Sequence, residues 1–263
     1  MGGNEQPVQG EGVVGSADAF FAAWRESMRA FGPGRCAAEA ALRANVDAEL
    51  TLVQRVRGAY VDALVPAGWV PFHAAAVGAA DGIAMLPGPS GAGKSTFAAA
   101  MAARGFAVGD ELVLVRLEDG RLRALVPPLP LSLRDDALRR VVPGSWPRLS
   151  RTGSAGKTLV VPPALLCGEY EIGALVLLDR AEGARAAGVA PAGEFETAKR
   201  LMGSMVRFRG AGRESAGARR AAWRVLNALV EGPRRVWMRT DAFEMDPRGR
   251  GDVAWPWEGG RDE

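Results

Sequence analysis

The stretch Gly88-Pro89-Ser90-Gly91-Ala92-Gly93-Lys94-Ser95-Thr96 limits what this chain can fold into more than any other. It fits the pattern G-x-x-x-x-G-K-[ST] without a mismatch, and its flanks are those the pattern requires. Ile83-Ala84-Met85-Leu86 is a short apolar run that reads as a strand, and Phe97 to Arg104 is Ala-rich and reads as a helix. Glycines let the loop wrap closely, so that successive backbone N–H groups converge on phosphate oxygens. Lys94 supplies a point charge for the β- and γ-phosphates, and Ser95 a hydroxyl for Mg²⁺. The following helix aims its positive end at the same anion. The expectation is a nucleotide site, with ATP and Mg²⁺ as its cofactors.

At 263 residues and 48% hydrophobic content, the chain can form one large domain, or one domain with a small appendage. A net charge of +3 is too small to argue for a nucleic-acid partner. Of the 33 basic residues only Lys94, Lys157 and Lys199 are lysines, and two of these follow a glycine. Cys36 and Cys167 lie far apart and match no metal spacing, which reads as two free thiols in a reducing compartment. Residues 1–12 lack the apolar core of a signal peptide, and no run approaches the ~20 apolar residues of a membrane span. A cytoplasmic protein without a membrane partner is expected. A homo-oligomer stays open.

Four segments follow from the pattern: a disordered tail over 1–14, a helical segment over 15–66, a catalytic domain over 67–246 and a mobile tail over 247–263. Phe20, Phe21, Trp24, Met28 and Phe31 recur at helical spacing, and a second helical region spans 37–64. Trp69 to Ala79 reads as one strand, and Asp81-Gly82 as a hairpin turn that makes residues 73–79 and 83–87 antiparallel neighbours. Further strands are expected at 111–117, 122–126, 158–161, 174–178 and 235–239, and helices at 134–141, 194–208 and 214–230. The proline-rich stretch 127–168 is expected to be mostly loop. Gly156-Lys157-Thr158 imitates a second phosphate loop, but Arg151 stands where its first glycine would be.

Residues 69–117 resemble the HPr kinase family and its relatives, including kinases of bacterial peptide-modification (lasso peptide) clusters. The resemblance rests on motifs in order: Phe72-His73-Ala74-Ala75, a hairpin, the phosphate loop, Ala102-Ala103-Arg104-Gly105-Phe106, then Asp110-Glu111. Pro127-Pro128-Leu129-Pro130-Leu131-Ser132-Leu133 is similar as well. The family reads two aspartates where this chain has Asp110-Glu111. The resemblance implies an α/β fold with a P-loop kinase core of the HPr kinase/phosphoenolpyruvate carboxykinase type, a mixed sheet and an N-terminal helical segment. It also implies an ATP-dependent kinase acting on a serine hydroxyl of a peptide or protein. A small-molecule kinase and an ATP-hydrolysing regulatory protein are the alternatives.

The loop supplies Gly88 through Thr96 for the phosphates, with Lys94 also acting on the transferred group. The metal needs an acid beside Ser95. Asp110 is preferred by the resemblance, whereas Asp179, which ends the apolar run Leu175-Val176-Leu177-Leu178, is preferred by general phosphate-loop logic. Glu111 shares the candidacy for base. The family places a histidine where this chain has His73, its only one, which is expected to bind the acceptor or orient Asp110. Lys157, in a flexible loop, and Arg180 are weaker candidates for a second cation.

Overall fold

The computed structural model describes residues 49–79, 82–146, 148–152, 157–180, 188–206 and 216–240. The expected helix over 17–31, the first part of the 37–64 region, Cys36 and both tails lie outside them. Helix α1 (Glu49–Leu64) is followed by a 3-10 turn, Val65–Ala67, and strand β1 (Val70–Phe72). Strands β2 (Ala74–Ala79) and β3 (Gly82–Pro87) form the expected hairpin, in register Ala74↔Pro87 to Ala79↔Gly82. Helix α2 (Lys94–Ala102) follows the phosphate loop.

The next strands are β4 (Val108–Gly109), β5 (Val113–Glu118) and β6 (Arg121–Val126). Asp119 (φ 49°) and Gly120 (φ 78°) turn the chain between β5 and β6, both in the left-handed region that suits a two-residue hairpin. Strand β7 (Leu131–Arg134), helix α3 (Asp135–Val141), β8 (Arg148–Thr152) and β9 (Lys157–Val160) come next. The long strand β10 (Gly168–Arg180), then β11 (Gly188–Pro191), helices α4 (Glu194–Ser204) and α5 (Ala216–Glu231), and β12 (Arg234–Thr240) complete the described chain.

Nine strands make one curled mixed sheet, ordered β1-β5-β6-β10-β3-β2-β4, with β12 and β11 branching from β10. Strand β3 runs parallel to β10 and antiparallel to β2. The sheet is buried on both faces. Ala75, Val77, Ala84 and Leu86 pack with α2, while the alternating Ala74, Ala76, Ile83 and Met85 pack towards α4 and α5. That alternation is the pleat of a strand covered on both sides. Short side chains at Ala98, Ala99, Ala100 and Ala102 bring α2 close to the sheet.

Three expectations are corrected here. Trp69–Ala79 is not one strand: it breaks at His73, because β1 pairs with β5 while β2 pairs with β3 and β4. Asp110-Glu111 does not open a strand but lies between β4 and β5. The stretch 127–168 is not mostly loop. It carries a three-stranded antiparallel sheet, β7-β9-β8, whose prolines fall at strand ends and connections where no ladder N–H is needed.

Candidate active site

The two breaks have one cause. Residues 70–79 and 108–118 run antiparallel, paired at Phe72↔Val113 in one half of the sheet and at Ala76↔Gly109 in the other. Both segments cross between the halves at the same level, so His73 arrives opposite residues 110–112. The His73 Nδ1 lies 3.3 Å from the Glu111 carbonyl oxygen and 3.6 Å from Glu111 Oε2. The His73 N–H donates to the Ser204 carbonyl at 2.6 Å, which fixes its backbone from the other side. Gly109 is required for the crossing: a Cβ there would stand 2.3 Å from Val126 Cγ1, a stiff β-branched neighbour.

The phosphate loop faces this seam. Gly91 and Gly93 hold φ values of 85° and 91°, which only glycine adopts without cost. Gly93 caps α2 with no side-chain hydrogen bond, so the first-turn N–H groups stay directed at the loop's concave side. Lys94 is buried to 4% exposure, and its Nζ donates to the Gly88 and Pro89 carbonyls at 2.8 and 2.9 Å. Burial lowers its pKa and the Lys157 charge adds to this, while Asp110 and Glu111 oppose them.

Asp110 is 1% exposed. Its Oδ2 accepts the Ser132 N–H at 3.4 Å, and the Ser95 hydroxyl also hydrogen-bonds the carboxylate. Its Oδ1 has no hydrogen-bond partner among the described residues. Burial, then the Glu111 charge, push the carboxyl up to about 7, against the hydrogen bonds from Ser95, Glu111 and Ser132. Burial, Lys94 and Arg57 all lower the His73 pKa, which the Glu111 carboxylate and carbonyl partly restore.

A cleft runs along these groups. His73, Ser90, Gly91, Gly93, Lys94, Ser95, Thr96 and Glu111 line one wall. The small sheet and α3 line the other through Ser132, Leu133, Arg134, Asp136, Ala137 and Lys157. Asp110 sits directly behind Ser95. Lys157 is corrected from a flexible loop to the first residue of β9, paired with Arg134. Asp179 is not among the lining residues. Its side chain is 48% exposed, and its Oδ1 lies 3.8 Å from Arg200 Nη2, whose guanidinium stacks 5.2 Å from the Trp237 ring centroid. Arg180 ends β10.

Sequence reasoning missed three residues. Arg134 carried no signal beyond one more arginine in an arginine-rich chain. Ser132 contributes a backbone N–H, for which no residue type is diagnostic. Arg57 reaches Glu111 from α1, with Nη1 at 3.3 Å from Oε2, across 54 positions of sequence.

The residues present fit a magnesium ion. A hard cation takes oxygen ligands, and here a buried carboxylate oxygen without a partner stands next to a phosphate-loop hydroxyl. No described helix is long and apolar enough to cross a membrane, and Cys167 is in no disulfide.

No family model matches the chain, and no curated protein matches it. Among solved structures the chain is similar to the Hpr(Ser) kinase/phosphatase from Coxiella burnetii. The identity is 16%, over 46% of this chain and 77% of that one, with a TM-score of 0.29. At that score the likeness carries no argument, and the functional reading stands on the geometry of the cleft.

Proposed function

We propose that the protein is an ATP-dependent kinase that transfers the γ-phosphoryl group to a serine hydroxyl of a peptide or protein. The observation that carries this reading is the buried Asp110 carboxylate, held against Ser95 of a complete phosphate loop, with His73 and Glu111 facing the same cleft. Phosphoryl transfer needs positioned phosphates, charge neutralisation and an acceptor for one proton, and little else from the protein. Asp110 and Ser95 would hold Mg²⁺, which when bound neutralises charge on the phosphate oxygens. Gly88 to Thr96 cradle the phosphates, and Lys94 exchanges its carbonyl partners for them. The serine Oγ attacks the γ-phosphorus, the bond to the β-phosphate oxygen breaks, and ADP leaves. The serine proton passes to the pair His73–Glu111. A lowered pKa leaves the imidazole neutral at pH 7 and able to accept it. Lys157 and Arg134 face the phosphates from the opposite wall.

The choice of a peptide acceptor draws on the family resemblance and on a cleft walled by a three-stranded sheet with an exposed mouth. The irregular loop expected over 127–168 no longer supports it. The test is transfer from γ-labelled ATP to two pools from the source cell, one of peptides and proteins and one of small metabolites. Label in the first pool, on serine, is the expected result. Label in the second pool alone would replace the reading with a small-molecule kinase. Free phosphate with neither pool labelled would make the protein an ATP-hydrolysing regulator.

A further inference from the structure

Helix α1 lies outside the sheet, yet it contributes to the cleft. Val56, Tyr60 and Val61 bury one face of it, the Trp69 N–H donates to the Leu64 carbonyl at 3.2 Å, and the helix packs against β8. From the same helix Arg57 extends to the seam and meets Glu111 Oε2 at 3.3 Å. That oxygen is also the one 3.6 Å from His73 Nδ1. Arg57 does not line the cleft; it acts there through its contact with Glu111 and through its charge, which also lowers the His73 pKa.

Glu111 needs holding. Its φ of 68° is a left-handed conformation that is strained for a residue with a side chain. It lies between β4 and β5, outside any ladder, and next in the chain to the buried Asp110, whose negative charge repels its own. The groups that face it are Asp110, His73, Lys94 and Arg57. Arg57 is the one that fixes the carboxylate from behind. The fit is not free of cost, because Arg57 Nε is buried without a hydrogen-bond partner among the described residues. A guanidinium kept in such a place points to a function beyond anchoring the helix.

We propose that Arg57 is a positioning residue: it holds the Glu111 carboxylate against His73, so that the centre is complete only while α1 is docked on the core. The inference rests on the kinase reading only for its effect on rate. Its geometric part stands alone, and the experiment separates the two.

The chain has one histidine, so the Cε1–H of its imidazole gives one assignable ¹H–¹³C resonance. That resonance, at one fixed pH, and kcat and KM for MgATP are measured for the full-length wild type, Arg57→Ala, Arg57→Lys, Glu111→Gln and the Arg57→Ala/Glu111→Gln double variant. Arg57→Ala is expected to lower kcat about tenfold through loss of alignment, with KM within about twofold because the phosphate loop is untouched. Arg57→Lys should recover most of that loss. With Glu111→Gln already present, Arg57→Ala should cost under about twofold more and move the histidine resonance less than it does in the wild type. Full additivity, or an unmoved resonance in both single variants, overturns the proposal and makes Arg57 a helix anchor only. Should Arg57→Ala fail to fold, Glu111→Gln and Arg57→Lys still decide: a resonance that ignores Glu111→Gln overturns the proposal. If the wild type transfers no phosphoryl group but the resonance responds as stated, the kinase reading falls and the positioning stands.

Discussion

The strand that feeds the phosphate loop has a candidate carboxylate on each side, and their surroundings are opposite. On the parallel side, Asp179 is the last residue but one of β10, half exposed and paired with Arg200. On the antiparallel side, beyond β2 and β4, lies Asp110, 1% exposed, touching Ser95 and short of a partner at Oδ1. Both lie at a strand's end, Asp179 within β10 and Asp110 just after β4. What separates them is the course of the chain afterwards. Strand β10 runs on beside β12 as far as Arg180, whereas β4 stops after two residues and turns inward at a glycine that lets it approach Val126. An acid at the end of an apolar strand is therefore not yet a metal ligand; the stop has to fall level with the loop.

The loop itself belongs to both sides and sets the scale. Lys94→Ala should lower transfer by more than about 10³ while the variant keeps its fold, since the side chain's partners are loop carbonyls and not the core. A labelled-ATP assay beside a thermal melt checks this, and wild-type turnover would remove the phosphate-loop reading altogether.

On the Asp110 side, His73→Ala and Glu111→Gln should each slow transfer about 10²-fold with nucleotide binding intact, the scale of general-base assistance. Nucleotide affinity by calorimetry beside turnover makes the comparison. Affinity and rate falling together would mean that the pair serves binding, not proton transfer. On the Asp179 side, Arg200→Ala breaks a partly exposed ion pair and should change turnover by less than about fivefold, the range of such pairs. A drop as large as that of Glu111→Gln would bring the Arg200–Asp179–Trp237 cluster into the chemistry.

The smallest effect is on stability. Asp110's folded pKa is raised from 3.8 to about 7, so between those values the folded chain holds a proton that the unfolded chain has released. Its contribution therefore falls as pH rises from about 4 to 7 and stays unfavourable above that. Without nucleotide or Mg²⁺, Asp110→Asn should be more stable than the wild type at pH 8 by about 1–3 kcal/mol, and the difference should shrink at pH 5. Urea melts at the two pH values measure it. A variant less stable than the wild type at pH 8 would show that the carboxylate is well satisfied where it lies.

Much of the core was legible in the sequence, because its signals are local. The phosphate loop, the 79–82 hairpin and the Asp119-Gly120 turn are written in consecutive residues, and the short apolar run Ile83-Ala84-Met85-Leu86 marks β3. The breaks were not legible. That 69–79 splits at His73 depends on β1 finding β5 and β2 finding β3, and no residue in 69–79 encodes its partner. The sheet β7-β9-β8 was hidden by prolines that punctuate its ends. In the cleft the motif marked Lys94 and Ser95, and the family resemblance marked His73 and Asp110. Arg57 and Arg134 were invisible among so many arginines until the fold brought them to Glu111 and Lys157.

The most direct test sets the two aspartates against each other. Single-turnover transfer from γ-labelled ATP is measured with Mg²⁺ for Asp110→Asn and Asp179→Asn, alongside nucleotide affinity. The expected result is that Asp110→Asn, which weakens the hold on Mg²⁺, loses about 10²–10³ in rate and still binds nucleotide, while Asp179→Asn stays near the wild type. An inactive Asp179→Asn beside an active Asp110→Asn would contradict it and return the metal to the parallel side of the loop.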